Sequence, residues 1–310
     1  MKTLPLLLSL SALSLAQNEK GNWALTFDDE FNGSELDLSR WTPHDPGGRV
    51  RDRQLQTYEP EAVAVSGGQL HIVAQVAQVA QVARRKDGEY VSGIVSTFGA
   101  FSQTYGRFEI RCRIPAGRGL RPGFLLLPVP LGPLPEIDVF ETTGSDLSKV
   151  FFANRWGTEQ TERSFGDSFT GPDLSAGFHT LSIEWDRDKI TWFLDGKEKF
   201  QSVDGIPRQP MYLLIDLAVG GRLARSPDPK TIFPASFDID YIRVYQRTTV
   251  VARALVPNAA YISQAGLWGM ASALPPSFGS ASPATNQRQI LWERRLVFAS
   301  GRRPEGRRHR

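Results

Sequence analysis

Between Trp23 and Tyr245 the chain consists of short β-branched and aromatic runs cut by Gly, Pro, Asp and Asn, and an apolar period of 3.6 residues is nearly absent. Runs such as 69–73, 106–111, 180–185 and 190–194 read as strands, and Asp195-Gly196 reads as a hairpin turn. Many short strands with turn signals between them predict an antiparallel sandwich or jelly roll. The Ala-Gln-Val repeat through 74–83 is too short for a solenoid and reads as a local expansion that bulges or extends a loop.

The ends of the chain differ from this body. Lys2, an apolar run from Leu4 to Leu15 and small residues at Ser14 and Ala16 predict a signal peptide over 1–16, hence a secreted protein. No segment is long and apolar enough to span a bilayer as a helix. Residues 247–310 are rich in Ala, Ser, Pro and Arg and are expected to stay disordered. From Thr248 onward nine arginines face two glutamates, a net +7, whereas the rest of the chain has 27 basic against 31 acidic residues, a net −4. The basic balance therefore belongs to the tail, and the body 17–246 does not read as a nucleic-acid binder. Cys112 is a lone cysteine beside apolar neighbours, so it forms no internal disulfide and is expected to be buried and inert.

The chemistry gathers in Glu136-Ile137-Asp138-Val139-Phe140-Glu141. On a regular strand Glu136 and Asp138 share a face and Glu141 points away. One bulge residue at Val139 or Phe140 returns Glu141 to that face. Glu136 and Glu141 then stand roughly 13 Å apart at the backbone, and their side chains can close to about 5 to 6 Å, the spacing of a retaining glycosidase. Three acids on one face repel, which raises the pKa of at least one. The same motif also fits a solvated acidic strand or a calcium site.

The surrounding motifs are more specific. Phe27-Asp28-Asp29-Glu30-Phe31-Asn32-Gly33, Leu36-Asp37-Leu38-Ser39-Arg40-Trp41, Tyr105-Gly106-Arg107-Phe108-Glu109, Ile114-Pro115-Ala116-Gly117, Glu184-Trp185, Leu217-Ala218-Val219-Gly220-Gly221 and Asp240-Tyr241-Ile242-Arg243-Val244-Tyr245 stand in one order around the acids. With them the chain resembles glycoside hydrolase family 16, in its laminarinase-like branch, from about Trp23 to Gln246. The resemblance implies an all-β, concanavalin A-like antiparallel jelly roll with a concave sugar-binding cleft. It also implies a retaining endo-hydrolase of β-1,3- or mixed β-1,3/1,4-glucan, with Glu136 as nucleophile, Glu141 as acid/base and Asp138 tuning the nucleophile.

No cofactor is implied beyond a structural calcium, for which Glu30, Gly68 and Asp240 stand at similar positions. The alternative for Asp240 is a solvated strand start. The expected partner is the polysaccharide alone, and a monomer is expected.

The chain departs from the family pattern where rings are usual. Arg121, Leu125 and Leu223 stand at tryptophan positions, and no tryptophan occurs in Pro133-Leu134-Pro135. Arg53-Gln54 replaces a common Asn-Glu pair. The remaining candidates for sugar contact are Tyr58, Phe124, Asn154 and Trp156, each of which could equally pack in the core or a loop. Two further readings stay open: a glucan-binding protein without turnover, and a family enzyme or transglycosylase acting on another polysaccharide.

Overall fold

The structure is a computed structural model, and it describes residues 23–47, 53–77, 90–158 and 160–248. The signal-peptide reading of 1–16, most of the Ala-Gln-Val expansion and nearly all of the tail therefore lie outside the described residues. Of the two units into which the chain divides, Met1–Ala252 and Arg253–Arg310, the account below concerns the first.

Sixteen strands form the described body: β1 (Trp23–Asp29), β2 (Gln56–Tyr58), β3 (Val63–Ser66), β4 (Gln69–Val76), β5 (Tyr90–Ser92), β6 (Ile94–Ser96), β7 (Gly106–Arg113), β8 (Leu120–Pro128), β9 (Glu136–Thr143), β10 (Asp146–Trp156), β11 (Arg163–Thr170), β12 (His179–Trp185), β13 (Ile190–Leu194), β14 (Lys197–Ser202), β15 (Met211–Val219) and β16 (Ala235–Arg247). They make a ten-stranded sheet in the order β14-β13-β12-β7-β16-β4-β5-β2, with β1 on β16 and β3 on β4, and a six-stranded sheet in the order β11-β10-β9-β8-β15-β6. Pairing is antiparallel throughout except between β2 and β5. Asp195 and Gly196, both at positive φ, join β13 to β14 as the sequence predicts.

Period-2 alternation divides the residues between the two faces of the six-stranded sheet. In β15, Met211, Leu213, Ile215, Leu217 and Val219 enter the core between the sheets. Tyr212 and Leu214, between them, join Ile94, Leu125 and Leu127 in a second apolar cluster on the outer face. The ten-stranded sheet supplies Phe108, Ile110, Ile183, Trp192, Phe237, Ile242 and Val244 to the core. Ring contacts tie the layers together: Phe140 meets Phe237 edge-on at 6.2 Å, and Phe152 stacks on Trp192 at 5.5 Å. Cys112 is buried in this core, as expected, and burial pushes its thiol far above the ordinary range.

β9 lies between β8 and β10 and is irregular where the sequence requires it. Against β8, Phe140 pairs with Phe124 and Asp138 with Leu125, which leaves Val139 as the extra residue. Against β10 the register also slips between Phe151 and Ala153. Val139 and Phe140 both enter the core, so Glu141 emerges on the same face as Glu136 and Asp138. Trp192 of the opposite sheet reaches through the core and donates from Nε1 to the backbone oxygen of Asp138 at 2.9 Å.

That bond satisfies a carbonyl beside the bulge. Trp192→Phe, which keeps most of the ring, should lower unfolding free energy by about 1–3 kcal/mol through the orphaned acceptor. A denaturant midpoint equal to that of the parent would show that β9 is held without it.

Candidate active site

The outer face of the six-stranded sheet forms an open cleft of about 1100 Å³. Every strand of that sheet contributes to its lining, including Ile94 of β6, Leu125 of β8, Glu136 of β9, Ala153 of β10, Gly166 of β11 and Leu214 of β15. Glu136, Asp138 and Glu141 all line it. The bulge has therefore placed the three acids on one floor.

Arginines from both flanking strands meet this acid row. On β10, Arg155 is paired in register with Glu136. Its Nε lies 3.3 Å from Glu136 Oε1, Nε and Nη2 donate to Asp138 Oδ2 at 3.3 and 3.2 Å, and Nη1 lies 3.7 Å from Glu162. On β8, Arg121 Nη1 lies 3.5 Å from Glu141 Oε1. Gly123, opposite Glu141 in register, leaves room there: a Cβ would meet Asp216 Oδ1 at 3.2 Å and Glu141 Cγ at 3.7 Å.

Asp138 is the most deeply buried of the three acids, 2% exposed. Its carboxyl is held well above the usual carboxylate range, first by burial, then by repulsion from Glu136 and Glu141, with Arg155 pulling the other way and a hydrogen bond to Glu136 adding to the rise. Of the three acids, the one in the middle of the row is therefore biased toward its protonated form.

The substrate candidates separate. Tyr58 lines the cleft, and its hydroxyl donates to Asp216; burial first, and then the charge of Asp216, pushes its pKa well up. Phe124 does not reach the cleft. It is fully buried in the core, because strand alternation turns it away from Arg121 and Leu125, which do line the cleft.

Asn154 and Trp156 are also corrected. They share the parity of Val150, which faces the core, and of Phe152, a core ring that also reaches the cleft lining, whereas Phe151, Ala153 and Arg155 line the cleft. Asn154 is fully buried and donates to the Asp204 backbone oxygen at 2.6 Å. Trp156 packs against Gly205, where a Cβ would come within 2.0 Å of the indole, so only glycine allows the loop to lie there.

The positions without tryptophan do line the cleft: Arg121, Leu125, Pro133, Leu134 and Leu223 are all on its wall, as is Gln54. Sequence reasoning did not single out Arg155 or Asp216, whose importance depends on register across strands.

The calcium expectation meets a donor set that does not fit. Glu30 is engaged by Arg243 through Nε and Nη2 at 2.7 and 2.9 Å, and Asp240 is paired with Arg111. Asp29, next to Glu30, accepts from Phe31 N and Trp41 Nε1. A dication at Glu30, Gly68 and Asp240 would have to displace two guanidiniums, and among the described residues no cluster of three or more His, Cys, Asp or Glu is arranged to hold a metal.

Comparison with known proteins agrees with this geometry. Residues 55–243 match the family described as Glycosyl hydrolases family 16. The chain is 33% identical over 239 residues to the endo-1,3-1,4-beta-glycanase ExsH of Rhizobium meliloti (strain 1021), covering 71% of this chain and 51% of that protein. It is 32% identical over 277 residues to a beta-glucanase of Rhodothermus marinus, covering 78% and 92%. The laminarinase catalytic domain of Thermotoga maritima MSB8 superposes with a TM-score of 0.66 at 29% identity, over 74% of this chain and all of that one. The chain spans about half the length of ExsH.

The raised Asp138 carboxyl has a consequence for stability. The folded state binds a proton that the unfolded chain releases in the ordinary range near 4. Its contribution to stability is full below that range and is lost as pH rises through it toward the raised folded value. Asp138→Asn, which cannot ionise, should therefore gain thermal stability relative to the parent on going from pH 4 to pH 7. A constant difference in Tm across that span would mean that Asp138 ionises normally.

Proposed function

We propose that this chain, which belongs to glycosyl hydrolases family 16, is a retaining endo-hydrolase of β-1,3- or mixed β-1,3/1,4-glucan. The observation that carries the reading is the bulge at Val139, which brings Glu136, Asp138 and Glu141 together on the floor of a cleft crossing the whole sheet. An open cleft admits a chain at any point along its length, which suits endo-cleavage.

In the first half-reaction a Glu136 carboxylate oxygen attacks the anomeric carbon, and the bond from that carbon to the glycosidic oxygen breaks. Glu141 gives its proton to the departing oxygen. In the second half, Glu141 takes a proton from water, the water oxygen attacks the anomeric carbon, and Glu136 leaves as a carboxylate. Two inversions give net retention. Asp138, in its neutral form, supplies a hydrogen bond to Glu136 without adding a negative charge beside the nucleophile.

The acid row also bears on the alternative of a glucan-binding protein without turnover. Such a protein has no use for buried carboxyls, which are costly to hold out of water, yet Glu136 and Asp138 are buried here and Glu141 stands beside them in the cleft. Catalysis needs no metal in this reading.

The apolar run at the N-terminus supports export, and the composition of 247–310 supports a tail separate from the catalytic body over 17–246. The polysaccharide is the proposed partner and the monomer the proposed working form.

Reducing-end release from laminarin and mixed-linkage glucan tests the proposal. Glu136→Gln should lose about 10³-fold or more, and Glu141→Gln about 10²–10⁴-fold, recovering with substrates whose leaving group needs no protonation. The first product anomer should be β. Unchanged hydrolysis by Glu136→Gln, or no release by a folded parent on either glucan, would overturn the reading.

A further inference from the structure

We propose that Arg155 is the positioning residue of the acid row: its guanidinium clamps Oδ2 of Asp138 and leaves Oδ1 as the oxygen that meets Glu136. The proposal deepens the glycosidase reading and rests on it for the roles of the two glutamates.

The geometry is asymmetric. Oδ2 of Asp138 accepts from both Nε and Nη2 of Arg155. Oδ1 is buried and has no hydrogen-bond partner. A guanidinium only donates, so a proton on Oδ2 would collide with two N–H groups already aimed at that oxygen. Oδ1 is therefore the site for the proton, and we assign Glu136 as its acceptor, since a side-chain hydrogen bond with Glu136 is among the causes that raise the Asp138 carboxyl and Oδ2 is already engaged by Arg155. An oxygen that is orphaned as a carboxylate is satisfied as a hydroxyl.

Glu136 is consequently held from two sides, by Arg155 Nε at 3.3 Å and by the neutral acid of Asp138. Arg155 is itself anchored in register opposite Glu136 and restrained by Glu162 behind it. Besides Glu162, the other charged groups lining the cleft are Glu141 on β9, Arg121 on β8, Asp216 on β15, Asp167 on β11, Asp45 and Arg222. A lysine would return the charge without the fork, since an ammonium is a point charge and cannot give two parallel bonds from fixed positions.

The test uses the full chain with Arg155→Lys and Arg155→Gln, followed by two readouts. The first is a ¹³C-carboxyl NMR titration of Asp138 without substrate, assigned with Asp138→Asn. The second is kcat and KM on laminarin across pH. Arg155→Gln should push the Asp138 titration upward, because the cation that lowers it is gone. Arg155→Lys should leave the titration near the parent's while lowering kcat about ten-fold or more, with KM within about three-fold. A lysine variant with parental kcat, or a glutamine variant with an unmoved Asp138, would overturn the proposal. If the parent hydrolyses no glucan, the glycosidase reading fails alone, and the titrations still decide whether Arg155 governs Asp138. If the glutamine variant does not fold, the lysine variant's kcat decides.

Discussion

The bulge in β9 is the constraint on which the site depends. A regular strand running through Glu136-Ile137-Asp138-Val139-Phe140-Glu141 would bury a carboxylate in the core and expose a large ring to the cleft. Sending Val139 and Phe140 inward in succession avoids both costs. The distortion leaves ladder groups to be satisfied, and one of them, the Asp138 carbonyl, receives the indole N–H of Trp192 from the opposite sheet. Core packing and catalytic geometry therefore share the same residues: Phe140 is seated against Phe237, and Trp192 is both a core ring and the support of the acid row.

Placing three acids on one floor creates an electrostatic problem that the neighbouring strands resolve. Two carboxylates separated by a third would repel strongly in a region shielded from water. The floor relieves this in two ways. The raised Asp138 carboxyl favours its neutral form, and Arg155 and Arg121 enter from β10 and β8 to stand beside Glu136 and Glu141. Neither arginine could do this from its own strand position without the antiparallel register that sets Arg155 opposite Glu136 and Gly123 opposite Glu141.

What could be read from sequence follows the range of each interaction. Strand cadence, the Asp195-Gly196 hairpin and the need for a bulge are local properties, so alternation alone exposes them. Phe124 was also open to that logic: once Arg121 and Leu125 are placed on the cleft, period 2 sends Phe124 to the core, where it lies. Asn154 and Trp156 were not open to it, since their face depends on how β10 registers against the bulged β9. Arg155 and Asp216 acquire their roles only through partners on other strands, at Glu136 and Tyr58 respectively. The carboxylates of the calcium expectation are engaged for a similar reason, because residues distant in sequence, Arg243 and Arg111, pair with Glu30 and Asp240.

The composition of the cleft wall bears on how a polysaccharide would be held. Arg121, Leu125, Leu134 and Leu223 line it where flat rings would otherwise stack on sugar faces. Leucine buries apolar area but has no ring face, so it rewards contact with little regard for the orientation of the sugar. Orientation must then come from groups that point into the cleft with fixed geometry. Tyr58, locked to Asp216, is one such group; the arginine-braced carboxyls are others. These groups stand on β2, β8, β9, β10 and β15, so the fixed polar contacts of the cleft are gathered around the acid row.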